Sequence, residues 1–320
     1  MTDAIDLDAA VDEMHGAVLA ALPTDLLDLS DIPMARRRFA DVLGAMPAPE
    51  LPDTVAVSEA FAEGWEGDPN VRLKLYRPEG LPASAPTLYW IHGGGMVLSD
   101  ADSDDLTCAL RARAQNCLVV SVDYRLAPET PAPGPVNDCY AGLRWVAANA
   151  DQLGIDRDRI MIGGASAGGG LAAGTALMAR DQGGPQLTAQ LLVFPMLDHR
   201  NESPSSHAIQ DSRVWNREAN RLAWDAYLGG GEPSSYSSPS IADDLSGLPP
   251  AYINVGTLDL FLDEDIAYAQ ALTRAGVACE LHVYPGAFHG SSAFVPKHPL
   301  SVRWNADQEG FLTRALAGEL

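Results

Sequence analysis

Lysine is nearly missing from this chain: Lys74 and Lys297 are its two lysines, and arginine supplies almost all of the cationic charge. Acid is in large excess, giving a formal net charge of -22 over 320 residues, and residues 1 to 70 set fifteen acids against Arg36, Arg37 and Arg38. A field of that sign disfavours DNA, RNA and anionic membranes as partners. It fits salt adaptation, but biased composition in an ordinary acidic enzyme is the favoured reading; composition alone does not decide it. Cysteine is scarce as well. Cys108, Cys117, Cys139 and Cys279 lie far apart with no CxxC and no flanking histidine pattern, which points to free buried thiols rather than a disulfide frame or a zinc site. No metal is expected. The opening MTDAIDLDAA has neither the basic start nor the apolar stretch of a secretory signal. Long uncharged runs are scarce too, residues 160 to 179 being the most conspicuous. Together these lacks predict a soluble, cytoplasmic protein.

What is present is ordinary globular composition, 47% hydrophobic and 20% charged, and the length suits one main domain with a small appendage. From about residue 54, β-rich runs alternate with helical ones. TVAVSEA (54–60) and VRLKLYR (71–77) alternate apolar and polar residues, as an antiparallel pair at a sheet edge does. TLYWIH (87–92), LVVSVD (118–123), IMIGG (160–164), QLLVFP (190–195), YINVGT (252–257) and CELHVY (279–284) are compact and mostly apolar, as buried parallel strands are. Helices fit between them. Residues 136–149 put Val136, Tyr140, Leu143 and Ala147 on one face, and 263–275 opens with Asp263, Glu264 and Asp265, read as N-terminal capping, and stops at Gly276. This alternation predicts an α/β fold with a doubly wound sheet. Residues 1 to about 48 and 200–232 break it, and both are candidates for a lid over one end of the sheet.

The uncharged run IMIGGASAGGGLAAGTALMA admits three readings. A membrane span suits its length, but six glycines and a strand-like start argue against it. A dinucleotide loop would match Gly168 to Ala173 as GxGxxA, yet the next strand, 190–195, has no acid to hold a ribose. The third reading is Gly164-Ala165-Ser166-Ala167-Gly168, a GxSxG elbow that lifts a serine hydroxyl above the sheet between a strand and a helix.

A serine hydroxyl needs a base, and the base needs an acid that fixes its tautomer. Such elbows are followed in the chain by the acid and then the histidine. His289 sits in a glycine-bearing loop after the last strand, where catalytic groups collect; His282 lies within a strand and His298 in a surface turn. Asp259, two residues past its strand, is the favoured acid, with Asp198 as its rival. His92-Gly93-Gly94-Gly95 directly follows the strand 87–92, so Gly93, Gly94 and Gly95 can offer amides to an oxyanion, and Ala167 offers another. His92 itself reads as a structural hydrogen-bonder.

With these residues in hand, the chain resembles the bacterial hormone-sensitive-lipase family (family IV) of carboxylesterases in the α/β-hydrolase superfamily, over roughly residues 50 to 320. The resemblance rests on His92 to Gly95, on Asp123-Tyr124-Arg125-Leu126-Ala127-Pro128-Glu129 with Pro131, Pro133 and Asp138, on the GxSxG followed by Gly169, on Asp259 with Asp263 and Glu264, and on Phe288-His289-Gly290. It implies an α/β-hydrolase fold, an eight-stranded mostly parallel sheet with helices on both faces and a small helical cap. Residues 1–50 would be an N-terminal cap segment and 51–320 the catalytic domain, with 200–232 a cap insertion. It further implies hydrolysis of small to medium uncharged esters through an acyl-enzyme, no cofactor, and the homodimers common in the family. A related hydrolase of amides, lactones or carbamates, or a non-catalytic receptor on the same scaffold, stays open at this point. Met96, Trp215, Trp224 and Tyr227 are candidate substrate contacts, the three aromatics serving equally well as cap core. The chain departs from the family at Ala165, where Asp or Thr is common, and at Met96, where an aromatic is frequent.

Overall fold

The computed structural model describes residues 4–45 and 50–320; the outer parts of the expected 1–50 segment, residues 1–3 and 46–49, lie outside the described residues. Every expected strand forms: β1 (Val55–Ala62), β2 (Val71–Pro78), β3 (Ala85–Ile91), β4 (Leu118–Asp123), β5 (Ile155–Ala165), β6 (Gln190–Val193), β7 (Ala251–Leu258) and β8 (Cys279–Phe288). They pair in the order β1-β2-β4-β3-β5-β6-β7-β8. β2 runs antiparallel to β1 and to β4, and the remaining pairs are parallel. The two alternating runs thus form the antiparallel edge that their pattern predicts.

Helices α1 (Leu7–Ala10), α2 (Glu13–Leu19) and α3 (Ile32–Ala45) precede the sheet. Within it, α4 (Asp105–Gln115) joins β3 to β4, α5 (Gly134–Ala148) and α6 (Ala150–Leu153) join β4 to β5, and α7 (Ala167–Asp181) joins β5 to β6. α8 (Pro204–Ala208) and α9 (Arg217–Leu228) occupy the expected insertion, α10 (Leu262–Arg274) joins β7 to β8, and α11 (Ser291–Phe294) and α12 (Pro299–Ala317) end the chain.

Strand side chains divide with period two between two cores. Tyr89 and Ile91 of β3 join Val120 and Val122 of β4 on one face, with Val136 of α5, Leu171 of α7 and Leu272 of α10. Leu88, Trp90 and Val119 point to the other face, against Cys108 of α4 and Trp304, Phe311 and Leu312 of α12. Burial on both faces is why these strands read as nearly unbroken apolar runs. The four cysteines are free, three buried and Cys279 half-buried.

Helix α9 shows how the sequence builds the insertion. The Asn216 side chain caps it by accepting from the amides of Glu218 and Ala219, and Gly229 ends it in a left-handed conformation. Ala219, Ala223, Trp224 and Tyr227 lie on its buried stripe, while Arg221 pairs with Glu218 and Asp225 outside. The N-terminal segment joins the insertion directly: Ile5 N–H donates to the Ala208 carbonyl at 2.9 Å, and Arg213 lies 3.0 Å from Asp8.

Candidate active site

Between β5 and α7 the chain turns through a single residue. Ser166 has φ 57° and ψ -123°, a conformation that L residues keep only when their surroundings fix it. Here the Ser166 amide donates to the Val193 carbonyl at 2.9 Å, and its own carbonyl accepts from Gly170 at 3.1 Å and Met196 at 3.0 Å. Crowding explains the flanking glycines. A methyl on Gly164 would collide with the Gly168 carbonyl, and one on Gly168 with that of Ile91.

β8 runs four residues further than the apolar pattern suggested, so His289 is the first residue past its end. Its Nε2 lies 3.1 Å from Ser166 Oγ and its Nδ1 lies 2.8 Å from Asp259 Oδ2. A carboxylate only accepts, so Nδ1 carries the proton and Nε2 offers its lone pair to the serine hydroxyl. Asp259 follows β7 directly and is 1% exposed; its other oxygen accepts the Phe261 amide at 3.1 Å. Such a row can take the serine proton and stabilise the imidazolium that results.

The amides of Gly93, Gly94, Gly95 and Ala167 take no hydrogen-bond acceptor among the described residues, and α7 begins at Ala167 with its positive dipole end toward the serine. His92 is fully buried, its Nδ1 donating to the Gly93 carbonyl at 2.8 Å and its ring stacked on Tyr124 at 4.2 Å. Burial holds its pKa below the ordinary value. It is a loop fastener, as the sequence suggested. Asp138 serves the scaffold beneath, taking the Arg125 amide and guanidinium at 2.7–2.9 Å.

Three aromatic rings surround His289: Phe194 at 4.6 Å, Phe261 at 5.3 Å and Trp215 at 6.4 Å between centroids. Trp215 also packs so closely on Gly95 that a methyl there would enter its ring. Its indole donates to Asn220 Oδ1 at 3.0 Å, which fixes the ring's orientation. Phe194 and Phe261 were not singled out from sequence, although each stands just beyond the carboxyl end of a strand, where site residues gather.

Other expectations are corrected. Trp224 and Tyr227 are 2% and 0% exposed and 5.9 Å apart; of the two roles open to them burial in the hydrophobic core favours core packing, because their positions on α9 face inward. Met96 is fully buried within the hydrophobic core, and its backbone, at φ 60°, forms part of the glycine turn. Asp198 is paired with Arg200 at 2.6 Å, and His289 Nδ1 meets Asp259 instead. The acids opening α10 do not cap it. Asp263 accepts the Ser205 amide at 2.6 Å, Glu264 accepts the Leu197 and Asp198 amides at 2.8 and 3.2 Å, and Asp265 is wholly buried with no hydrogen-bond partner for either oxygen.

His298 is not in a free surface turn. It caps α12, its Nδ1 accepting the Leu300 amide at 3.1 Å, and Asp12 Oδ2 lies 3.0 Å from its Nε2 and 2.9 Å from His15 Nδ1. These three side chains bring ligand-type atoms within 4.8 Å of one another. The Leu300 amide leaves the His298 proton on Nε2, facing Asp12, so the cluster fits a hydrogen-bonded clasp better than a cation site, whose histidine ligands donate from the far nitrogen. Two clefts of about 430 and 410 Å³ lie along α5 around Arg144 and include none of the residues around Ser166. Among the described residues no helix is long and apolar enough to cross a membrane.

A family model described as alpha/beta hydrolase fold matches residues 88–293. The chain is 37% identical to "Esterase LipI" of Mycobacterium tuberculosis over 286 residues, 88% of each chain. It is 34% identical to "Carboxylesterase NlhH" of the same species over 314 residues, 96% of each. Among solved structures, "Bacterial Heroin Esterase" superimposes with a TM-score of 0.93 at 42% identity, covering 97% of this chain and 99% of the other.

Proposed function

From the premise that this chain belongs to the alpha/beta-hydrolase family of carboxylic ester hydrolases, in its hormone-sensitive-lipase branch, we propose that it hydrolyses small to medium uncharged esters with Ser166, His289 and Asp259 as its catalytic triad. The observation that carries the assignment is the unbroken row Ser166 Oγ, His289 Nε2, His289 Nδ1, Asp259 Oδ2, with contacts of 3.1 and 2.8 Å, at the carboxyl edge of a parallel sheet.

His289 Nε2 takes the hydroxyl proton as Ser166 Oγ attacks the ester carbonyl. The carbonyl oxygen becomes an alkoxide, received by the amides of Gly93, Gly94, Gly95 and Ala167; one such donor is worth about 100- to 1000-fold in rate. The imidazolium then gives its proton to the leaving alcohol as the C–O bond breaks, leaving an acyl-serine. A water gives its proton to Nε2 and attacks that ester, and the proton returns to Ser166 Oγ as the carboxylic acid departs. Asp259 stabilises the charged imidazole in both halves. No step needs a cofactor.

The preference for uncharged, compact esters is supported by the rings of Phe194, Phe261 and Trp215 around His289 and by the 7% exposure of Ser166. The contacts between residues 5–8 and the insertion support reading both as one cap. Purified protein should turn over p-nitrophenyl acetate and butyrate far above a Ser166→Ala control. Equal rates for the two proteins across pH and salt would refute the proposal.

A further inference from the structure

Helix α3 sends one side chain into the loop that carries the glycine turn. Arg36 Nε donates to the Val97 carbonyl at 2.7 Å, and its Nη2 donates to the Ala127 carbonyl at 2.7 Å. Both carboxylate oxygens of Glu129 accept from the same guanidinium at 2.8 Å, an ion pair that holds the Glu129 carboxyl below its usual pKa. The Ala127 amide in turn donates to the Met96 carbonyl at 2.9 Å. Arg36 thus closes a ring through two loops that are far apart in sequence.

The turn needs holding. Gly94, Gly95 and Met96 have φ values of 110°, 62° and 60°, and left-handed backbone is uncommon for a residue with a Cβ such as Met96. Inside the turn, the Gly94 carbonyl takes the Val97 and Leu98 amides at 3.1 and 2.8 Å. At its far end the Met96 and Val97 carbonyls are fixed by Ala127 and by Arg36. Strained backbone of this kind persists where its surroundings over-determine it. The planar fork of arginine, with five donors in fixed directions, makes all four of these bonds at once; an ammonium has only three donors.

We propose that Arg36 is a positioning residue for ester hydrolysis: it locks the Gly93–Met96 turn in the shape that presents its amides to the oxyanion, so the N-terminal helical segment completes the active site as well as covering it. The proposal rests on the ester-hydrolase reading and deepens it. Arg36 touches no reacting atom, and a merely structural role would show as lost stability alone.

The test uses the full chain and its Arg36→Met, Arg36→Lys and Arg38→Met variants. Arg38 also fastens this segment, by a 2.7 Å bond to the Asp28 carbonyl, without reaching the turn. With p-nitrophenyl butyrate, Arg36→Met should lower kcat by about 10- to 100-fold, less than outright loss of an oxyanion donor and with KM within about twofold. Affinity for a trifluoromethyl ketone, which forms the tetrahedral oxyanion on the serine, should fall by the same factor as kcat/KM. Arg36→Lys should recover part of kcat, and Arg38→Met should lose melting temperature but keep kcat. A folded Arg36→Met with wild-type kcat, or a loss carried by KM alone, overturns the proposal; if that variant does not fold, full kcat in Arg36→Lys does so. Should the wild type prove no better than Ser166→Ala, the ester reading fails, and amide exchange decides the brace by itself. Faster exchange over residues 93–98 in Arg36→Lys supports it, and unchanged exchange overturns it.

Discussion

Asp265 stands on α10 six residues after the proposed catalytic acid, fully buried, with neither carboxylate oxygen hydrogen-bonded. Burial, reinforced by the nearby charges of Glu264 and Asp259, pushes its pKa well above the ordinary value. In the unfolded chain it ionises at about 3.9. Above that pH the folded protein holds a proton that the unfolded chain has released, so the group's contribution favours unfolding and grows as pH rises. For one proton the slope is about 1.4 kcal/mol per pH unit, until the folded carboxyl itself ionises. Asp265→Asn removes the titration while keeping the shape. The amide buries an unpaired N–H, a constant cost of about 1–3 kcal/mol, so the variant begins less stable near pH 4.5. Its disadvantage should then shrink and reverse by about 1.4 kcal/mol for each further pH unit. Urea unfolding followed by tryptophan fluorescence at pH 4.5, 5.5, 6.5 and 7.5, with equal m-values for the two proteins, measures the difference directly. A gap independent of pH would mean that Asp265 is ionised in the folded protein, and the reasoning would be wrong.

Two further outcomes follow from the geometry around His289. Asp259→Asn should lower kcat/KM by about 10⁴-fold with little change in fold, because an amide donating to Nδ1 leaves Nε2 protonated and unable to accept the serine proton; steady-state kinetics beside circular dichroism would check it, and a loss below tenfold would contradict the assigned acid. Trp215→Ala should cost about 3–5 kcal/mol in denaturant titration and raise the ratio of decanoyl to butyryl ester hydrolysis, since the ring packs on Gly95 beside His289. An unchanged ratio would remove Trp215 from the pocket wall.

Strand positions were legible because the inner parallel strands are buried on both faces and interrupted by turn residues; Leu118 to Asp123, for example, reads and folds as β4, whereas the edge strand β8 is half-exposed. Ser166, Asp259 and His289 were legible because each stands just past a strand and the elbow needs glycine on both sides. Contacts decided by loops could not be read. Phe194 reaches His289 through a backbone at φ 34°, and no periodicity reports such a turn. The acids at 263–265 looked like helix caps because local sequence offers no sign that Leu197 and Ser205 amides lie within reach. Asp12 and His298, at opposite ends of the chain, meet through tertiary structure alone. Trp224 and Tyr227 had the right spacing for a helix, but spacing does not say which side of it faces a pocket.

The proposed triad hangs from three different strands, Ser166 after β5, Asp259 after β7 and His289 after β8, with β6 and Phe194 between. A slip of one residue along a strand displaces the loop at its end by about 3.3 Å, more than a hydrogen bond of about 3 Å can tolerate. Turnover therefore works as a gauge of how the sheet is registered. A refolded sample with native helix content but one strand misaligned would pass circular dichroism and still be inert toward an ester.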